Sequence, residues 1–121
     1  MSLIRYLLDE HIPNQLRLAL RQRSPGLTVW RVGEPAAPSL GTRDPDLLLW
    51  CELNGFSLVT NNRASMPGHL RDHLAAGHHE PGIFVVGVNM TLSAIADELA
   101  LIASASEAEE WVDQIVYLPL R

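Results

Sequence analysis

Residues 3–11 read LIRYLLDEH, an apolar run that stops abruptly at two acidic side chains. A short run of this kind predicts a buried strand over Leu3–Leu8, with the acidic pair just beyond its carboxyl end. A second apolar run at Ser57–Thr60 closes in the same way, on the polar stretch NNR at 61–63. In open α/β sheets ligands bind outside the carboxyl ends of the strands, where the strand order reverses. We therefore expect a site at this edge of a sheet.

The rest of the chain alternates between strand-like and helix-like segments. Short apolar runs and stretches with helical periodicity follow one another in the order β-α-β-α-β-α-β-α-β, separated by turns rich in Gly, Pro and Ser. This order predicts an α/β fold with a mostly parallel sheet flanked by helices. A chain of 121 residues has the length of one ordinary domain, so we treat residues 1–121 as a single domain.

Composition narrows the class of protein. No apolar run approaches the roughly 18 residues of a membrane span, and the first residues carry no basic-then-apolar signal, so we expect a cytoplasmic protein without membrane contact. The single cysteine, Cys51, lies in an apolar run and is interpreted as a buried hydrophobic residue. A net charge of −5 argues against nonspecific nucleic-acid binding, although residues 1–43 hold six arginines. That arginine-rich region is a solvated face of the first helix, an anion-binding flank or a surface for docking a partner.

Three polar residues at predicted element boundaries suggest a site for a hard cation. Asp9 follows the first strand, Asp44 opens a long apolar helix, and Asn62 follows the third strand. Mg²⁺ prefers oxygen ligands and takes one or two carboxylates together with water and phosphate oxygens. Arg63 would lie beside the ion and could neutralise a phosphate oxygen. The pattern is that of metal-assisted phosphodiester hydrolysis.

Each of these residues also has a simpler interpretation. Asp44 is also explained by helix capping alone, with Asp44 as the N-cap and Pro45 as the first helical residue. Glu10 would then be a solvated loop residue, and Asn61 and Asn62 would hydrogen-bond their own backbone. Spacing alone leaves these alternatives open.

Four stretches together resemble the small PIN-like proteins related to VapC-type toxin nucleases. They are LLDEHIP at 7–13, the acid-led helix from Asp44 to Gly55, SLVTNNR at 57–63 and PGIFV at 81–85. The resemblance covers about residues 3–88. It implies a Rossmann-like PIN fold and Mg²⁺- or Mn²⁺-dependent endoribonuclease chemistry.

The resemblance also implies roles for individual residues. Asp9 would be the first metal ligand and Asp44 the second, while the third acid of the family falls on Asn62. An amide can coordinate through its oxygen but carries no charge, so this departure would weaken cation binding. Glu10 or Asp46 would be the acids able to restore the missing charge.

Two functions follow from the resemblance. The first is a toxin-type ribonuclease that cleaves RNA with Asp9, Asp44, Asn62 and Arg63 as its catalytic set. The second is a catalytically degenerate PIN-like module that binds RNA or a protein partner without cleaving. The hypothesis of a toxin-type ribonuclease implies an antitoxin-type protein as its partner. A homodimer is a further alternative.

Histidines supply a third, separate hypothesis. His69 and His73 are one helical turn apart on the predicted helix, and His78 and His79 follow its end. Imidazole pairs at this spacing can bind Zn²⁺, which would suit a zinc-dependent hydrolase. The alternatives are contact with RNA, general-acid catalysis, and histidines that are structural or merely solvated.

Overall fold

The structure is a computed structural model that describes residues 2–120. These residues form a parallel α/β domain, as the alternation of segments predicts. The elements are β1 (Tyr6–Leu8), α1 (Asn14–Arg23), β2 (Val29–Arg31), α2 (Asp44–Asn54), β3 (Ser57–Thr60), α3 (Met66–Ala75), β4 (Ile83–Val85), α4 (Leu92–Ala105), a 3-10 turn (Ala108–Trp111) and β5 (Ile115–Tyr117).

The sheet has the order β2-β1-β3-β4-β5, and every neighbouring pair in it is parallel. The connection from β1 leads outward to β2 on one side, and the next connection returns to β3 on the other side. The strand order therefore reverses between β1 and β3. This is the position at which sheets of this order leave a crevice beyond the strand ends.

Helices cover both faces of the sheet because alternate side chains of each strand point to opposite faces. Tyr6 and Leu8 pack with α1 and α4, and Leu7 between them packs with α2 and α3. Every residue of β1, which reads YLL at 6–8, is fully buried. This is why the strand does not alternate between apolar and polar residues. Cys51 lies in α2 and is buried in the core, as expected.

The element ends differ from the sequence prediction in detail. The first strand covers Tyr6–Leu8 rather than Leu3–Leu8, because Leu3 is exposed beyond the edge of the ladder. Helix α2 ends as its Asn-Gly pair predicts, with Gly55 in the left-handed region at φ 72°. In the described part of the chain, no helix combines the length and apolar character needed to cross a membrane.

Candidate functional site

Asp9 stands directly after β1, and hydrogen bonds hold both its backbone and its side chain. Its backbone N–H donates to the carbonyl of Val59 in β3 (2.9 Å), which continues the ladder between the two strands. Its Oδ2 accepts from the Thr60 hydroxyl (2.9 Å) and its Oδ1 from the Glu10 backbone N–H (2.7 Å). The residue is only 5% exposed. The carboxylate is thus fixed at the reversal of strand order.

Burial raises the pKa of Asp9 above its usual value, and the negative charge of Asp44 adds to the rise. The hydrogen bonds from Thr60 and Glu10 and the nearby charge of His11 act in the opposite direction. Asp44 therefore lies near enough for its charge to act on Asp9, although the two residues are far apart in the chain.

Asn62 links Asp44 to the same arrangement. Its side-chain Nδ2 donates to Asp44 Oδ2 (2.8 Å), while its backbone N–H donates to Thr60 Oγ1 (3.0 Å). An unbroken series of hydrogen bonds therefore runs from Asp9 through Thr60 and Asn62 to Asp44. We call these four residues the carboxyl-edge cluster.

The amide of Asn62 has a definite orientation. Its Oδ1 accepts from the Ser65 backbone N–H (3.2 Å), and Nδ2 donates to the Ser65 hydroxyl (2.7 Å) as well as to Asp44. The reverse orientation would place the amide oxygen against the Asp44 carboxylate and the amide nitrogen against a backbone N–H. Asn62 therefore presents a hydrogen-bond donor, not an oxygen ligand, to Asp44.

The helix-capping interpretation of Asp44 is wrong. Asp44 is already within α2, the residue before it is Arg43, and no side chain caps this helix end. The Asp44 carboxylate is used for Asn62 instead, and it is about one-quarter exposed. Its position in the first turn still favours a negative charge, because the amino end of a helix is the positive end of its dipole.

The remaining predicted site residues lie around this cluster without joining it. Glu10 turns its carboxylate to the backbone N–H of Gly41 (2.8 Å) and so fastens the loop between β2 and α2. Asp46 is exposed, and its carboxylate makes no hydrogen bond or ion pair with residues 2–120. The Arg63 guanidinium lies over the Tyr117 ring of β5, 5.3 Å from its centroid.

The two helix histidines border different clusters. His69 Nε2 lies 3.6 Å from Asp44 Oδ2 at the carboxyl edge. His73, one turn further along α3, is buried and faces Glu52 near the end of α2, with Nε2 and Oε1 3.2 Å apart. His69 and His73 therefore face different acids, although both line the same cavity between α2 and α3.

A second group lies at the opposite edge of the sheet, where α2 and α3 end and β4 begins. Glu52, His73 and His78 each offer a ligand atom, and these atoms all lie within 4.8 Å of one another. His78 Nδ1 is 3.0 Å from Glu52 Oε1. The imidazole rings of His73 and His78 stack, with their centroids 4.9 Å apart. The three residues are close enough to hold a metal ion.

Glu80 completes this group from the sheet side. It is 1% exposed, and neither of its carboxylate oxygens has a hydrogen-bond partner among the described residues. Its Oε2 lies 3.7 Å from His73 Nε2. Burial, with added repulsion from Glu52 and Asp113, raises the pKa of Glu80 to about 9. We call Glu52, His73, His78 and Glu80 the amino-edge cluster.

Backbone contacts hold the amino-edge cluster together. The His79 N–H donates to Glu52 Oε2 (2.9 Å), which lowers the pKa of Glu52 and keeps it ionised. Asp113 accepts from the Glu80 N–H (2.8 Å) and pairs with His79 Nδ1 (2.8 Å). The side chain of His79 is thereby directed to Asp113, away from the three candidate ligands.

Sequence reasoning singled out the histidines but not Glu52 or Glu80. Neither acid carries a sequence signal, because an acid before Pro81-Gly82 and an acid near a helix end are both normally solvated.

Comparison with protein-family models, with curated proteins and with solved structures found no match for this chain. The chemistry of the two clusters therefore rests on their own atoms. The carboxyl-edge cluster offers carboxylate oxygens at the reversal of strand order, and the amino-edge cluster offers imidazole nitrogens with carboxylates.

Proposed function

We propose that this chain is a divalent-metal-dependent endoribonuclease of PIN-like, toxin-related type, with its active site at the carboxyl-edge cluster. The observation that supports it best is the hydrogen-bonded series that joins Asp9 to Asp44 beside the reversal of strand order. The resemblance of residues 3–88 to PIN-like proteins supplies the reaction and the RNA substrate.

The donor set suits Mg²⁺ or Mn²⁺ at two positions and not at the third. Asp9 and Asp44 are carboxylates whose oxygens accept no more than one hydrogen bond each, so lone pairs remain for a cation. The oxygen of Asn62 is taken by Ser65. Two carboxylates with water and a phosphate oxygen satisfy the usual needs of a magnesium ion. Asp9 and Asp44 would therefore hold the ion.

Neighbouring residues would keep these carboxylates in place. Thr60 orients Asp9, and Asn62 orients Asp44 by donating to one of its oxygens. When bound, the cation would activate water and offset the negative charge that develops on the phosphate. Arg63, exposed at the rim, would contact a phosphate of the RNA and leave its present position over Tyr117.

Calorimetric titration with Mn²⁺ tests the proposal. The His78→Ala background removes a ligand from the amino-edge cluster, so that only the carboxyl edge is measured. We expect one Mn²⁺ to bind, and Asp9→Ala or Asp44→Ala to abolish the binding. Failure of the background protein to bind Mn²⁺ would exclude the ribonuclease.

The second candidate function is a PIN-like module that binds RNA or an antitoxin-type protein without cleavage. The donation from Asn62 to Asp44 favours it, because an amide N–H already stabilises the charge that a cation would otherwise stabilise. A homodimer is compatible with either function and can be checked by light scattering.

Asn62→Asp separates the two candidates, with Asn61→Asp as its matched control. Asn61 is exposed, and its side chain makes no hydrogen bond with residues 2–120, so this substitution adds the same charge one position away. If Asn62→Asp gains Mn²⁺ binding that the native chain lacks, and Asn61→Asp does not, the non-cleaving module is favoured. If native protein binds already and Asn62→Asp only tightens binding, the ribonuclease is favoured.

A further inference from the structure

We propose that the amino-edge cluster is a binding site for a transition-metal ion, Zn²⁺ in the first place, with Glu52, His73 and His78 as ligands and Glu80 as the fourth donor. The site does not depend on the proposed ribonuclease, because none of its residues belongs to the carboxyl-edge cluster.

Two spacings between donor atoms are close to those around a tetrahedral ion. Glu52 Oε1 lies 3.2 Å from His73 Nε2 and 3.0 Å from His78 Nδ1. Bonds of about 2.0–2.1 Å at tetrahedral angles place neighbouring ligand atoms about 3.3–3.4 Å apart. The ligand atoms of all three residues lie within 4.8 Å of one another, so an adjustment of the side chains would bring them into coordination. Two imidazoles and a carboxylate also form a set that suits zinc better than magnesium.

Glu80 is an independent observation in favour of a ligand. A carboxylate buried to 1% exposure should be paired or coordinated, yet both oxygens of Glu80 lack a hydrogen-bond partner among the described residues. Its Oε2 points to the same nitrogen of His73 at 3.7 Å. No arginine in residues 2–120 pairs with Glu80 or Glu52, and the chain contains no lysine.

Oxygen atoms crowd the Nε2 atom of His73. The His79 carbonyl lies at 3.0 Å, Glu52 Oε1 at 3.2 Å and Glu80 Oε2 at 3.7 Å. A single N–H can donate well to one of these oxygens, so the others do not receive this hydrogen bond. A bound cation would take the place of this proton, with the ring proton on Nδ1, and would lie beside the carboxyl groups of both glutamates.

The location gives the ion a structural consequence. Glu52 is near the end of α2, His73 near the end of α3, and His78 in the segment that leads to β4. A shared ion would therefore tie two helix ends to the start of a central strand. A cavity of about 240 Å³ between α2 and α3 reaches His73 and His78, so an ion can enter from solvent.

The test is calorimetric titration of chelator-treated protein with Zn²⁺ alone. The melting temperature is measured before and after Zn²⁺ is added. We expect one equivalent to bind and the melting temperature to rise by several degrees. His78→Ala should weaken binding at least tenfold. His78 is partly exposed, so this variant is expected to fold.

His79→Ala is the matched control, because it removes an adjacent histidine whose ring is paired with Asp113 and not directed at the ligands. It should leave zinc affinity within about twofold. Glu80→Gln keeps the shape of the side chain but removes its charge, and it should weaken zinc binding about tenfold. The proposal would be overturned if native protein did not bind one equivalent of Zn²⁺. It would also be overturned if His78→Ala and His79→Ala lost zinc affinity equally, which would indicate binding by surface histidines only.

Asp9→Ala distinguishes this site from the carboxyl edge. We expect it to leave zinc binding unchanged, whatever it does to Mn²⁺ binding. Loss of zinc binding in Asp9→Ala, together with its retention in His78→Ala, would place the ion at the carboxyl edge and reject the proposal.

Discussion

The two edges of the sheet differ in how their buried carboxylates are hydrogen-bonded. At the carboxyl edge, hydroxyl, amide and backbone donors reach Asp9 and Asp44, and the links among them are continuous. At the amino edge, Glu80 is more deeply buried than either of these acids and has no hydrogen-bond donor in the described chain. A satisfied cluster can be stable without a ligand, whereas an unsatisfied buried charge calls for a proton or a cation.

Donor chemistry separates the edges further. The carboxyl edge offers oxygen atoms, which suit hard cations, and the amino edge offers two imidazoles with carboxylates, which suit zinc. Both clusters use a residue of α2, Asp44 at its start and Glu52 near its end, so the same helix would serve two different ions. The predictions below test whether the edges differ as described.

The largest effect is expected for Asp9 in RNA cleavage. Asp9→Asn keeps a side chain of the same size but removes the charge that would bind the cation, and should reduce cleavage by at least about 100-fold. Comparison of native and variant protein, purified in parallel and assayed with and without chelator, measures this. Equal cleavage by both proteins would trace the activity to a contaminant and count against the proposed active site.

The next effect concerns the stability of metal-free protein as a function of pH. The folded state keeps the Glu80 proton up to a pKa of about 9, while an ordinary glutamate releases it near 4.5. The folded state thus binds the extra proton, so the contribution of Glu80 to stability is complete below about pH 4.5 and is lost as the pH rises towards 9. The titratable groups that face Glu80 are Glu52, Asp113, His73 and Cys51.

Glu80→Gln should remove that loss. In chelator at pH 8 we expect the variant to be more stable than native protein by at least about 1 kcal/mol, which corresponds to less than one unit of pKa shift. Near pH 4.5 the difference should shrink. Urea unfolding at several pH values measures it, and a difference that does not grow with pH would contradict an unpaired acid at position 80.

A smaller effect is expected for Asn62→Ala. The substitution removes the donor to Asp44 and the acceptor of the Ser65 N–H, so it should lower the free energy of unfolding by about 1 kcal/mol. Asn61→Ala serves as the control and should change stability by less than about 0.5 kcal/mol. Similar values for both variants in denaturant unfolding would mean that the links of Asn62 contribute little.

The smallest effect is expected between the edges. His78→Ala should change Mn²⁺ affinity by no more than about twofold, and Asp44→Asn should change Zn²⁺ affinity by no more than about twofold, because separate sites without shared partners are nearly independent. Calorimetry of both variants with both ions completes the comparison. Strong coupling in either direction would show that α2 transmits binding from one edge to the other.

Much of the fold could be predicted from the sequence, because burial on both faces leaves a direct mark on a strand. Runs such as IFVV at 83–86 are wholly apolar, and the Asn54-Gly55 turn has the residues that a left-handed helix end requires. The exact ends could not be predicted, since Leu3 continues the apolar run but lies outside the ladder. Pairing partners, not composition, decide where a strand stops.

The candidate site divides in the same way. The sequence by itself determined that polar groups follow β1 and β3, because residues after parallel strands must emerge at one edge of the sheet. Only the tertiary structure decided that Asn62 turns its amide nitrogen to Asp44, since that choice depends on Ser65. Only the tertiary structure brought Glu52 and Glu80 to His73. Contacts between helix ends depend on packing in three dimensions and leave no periodic mark in the chain.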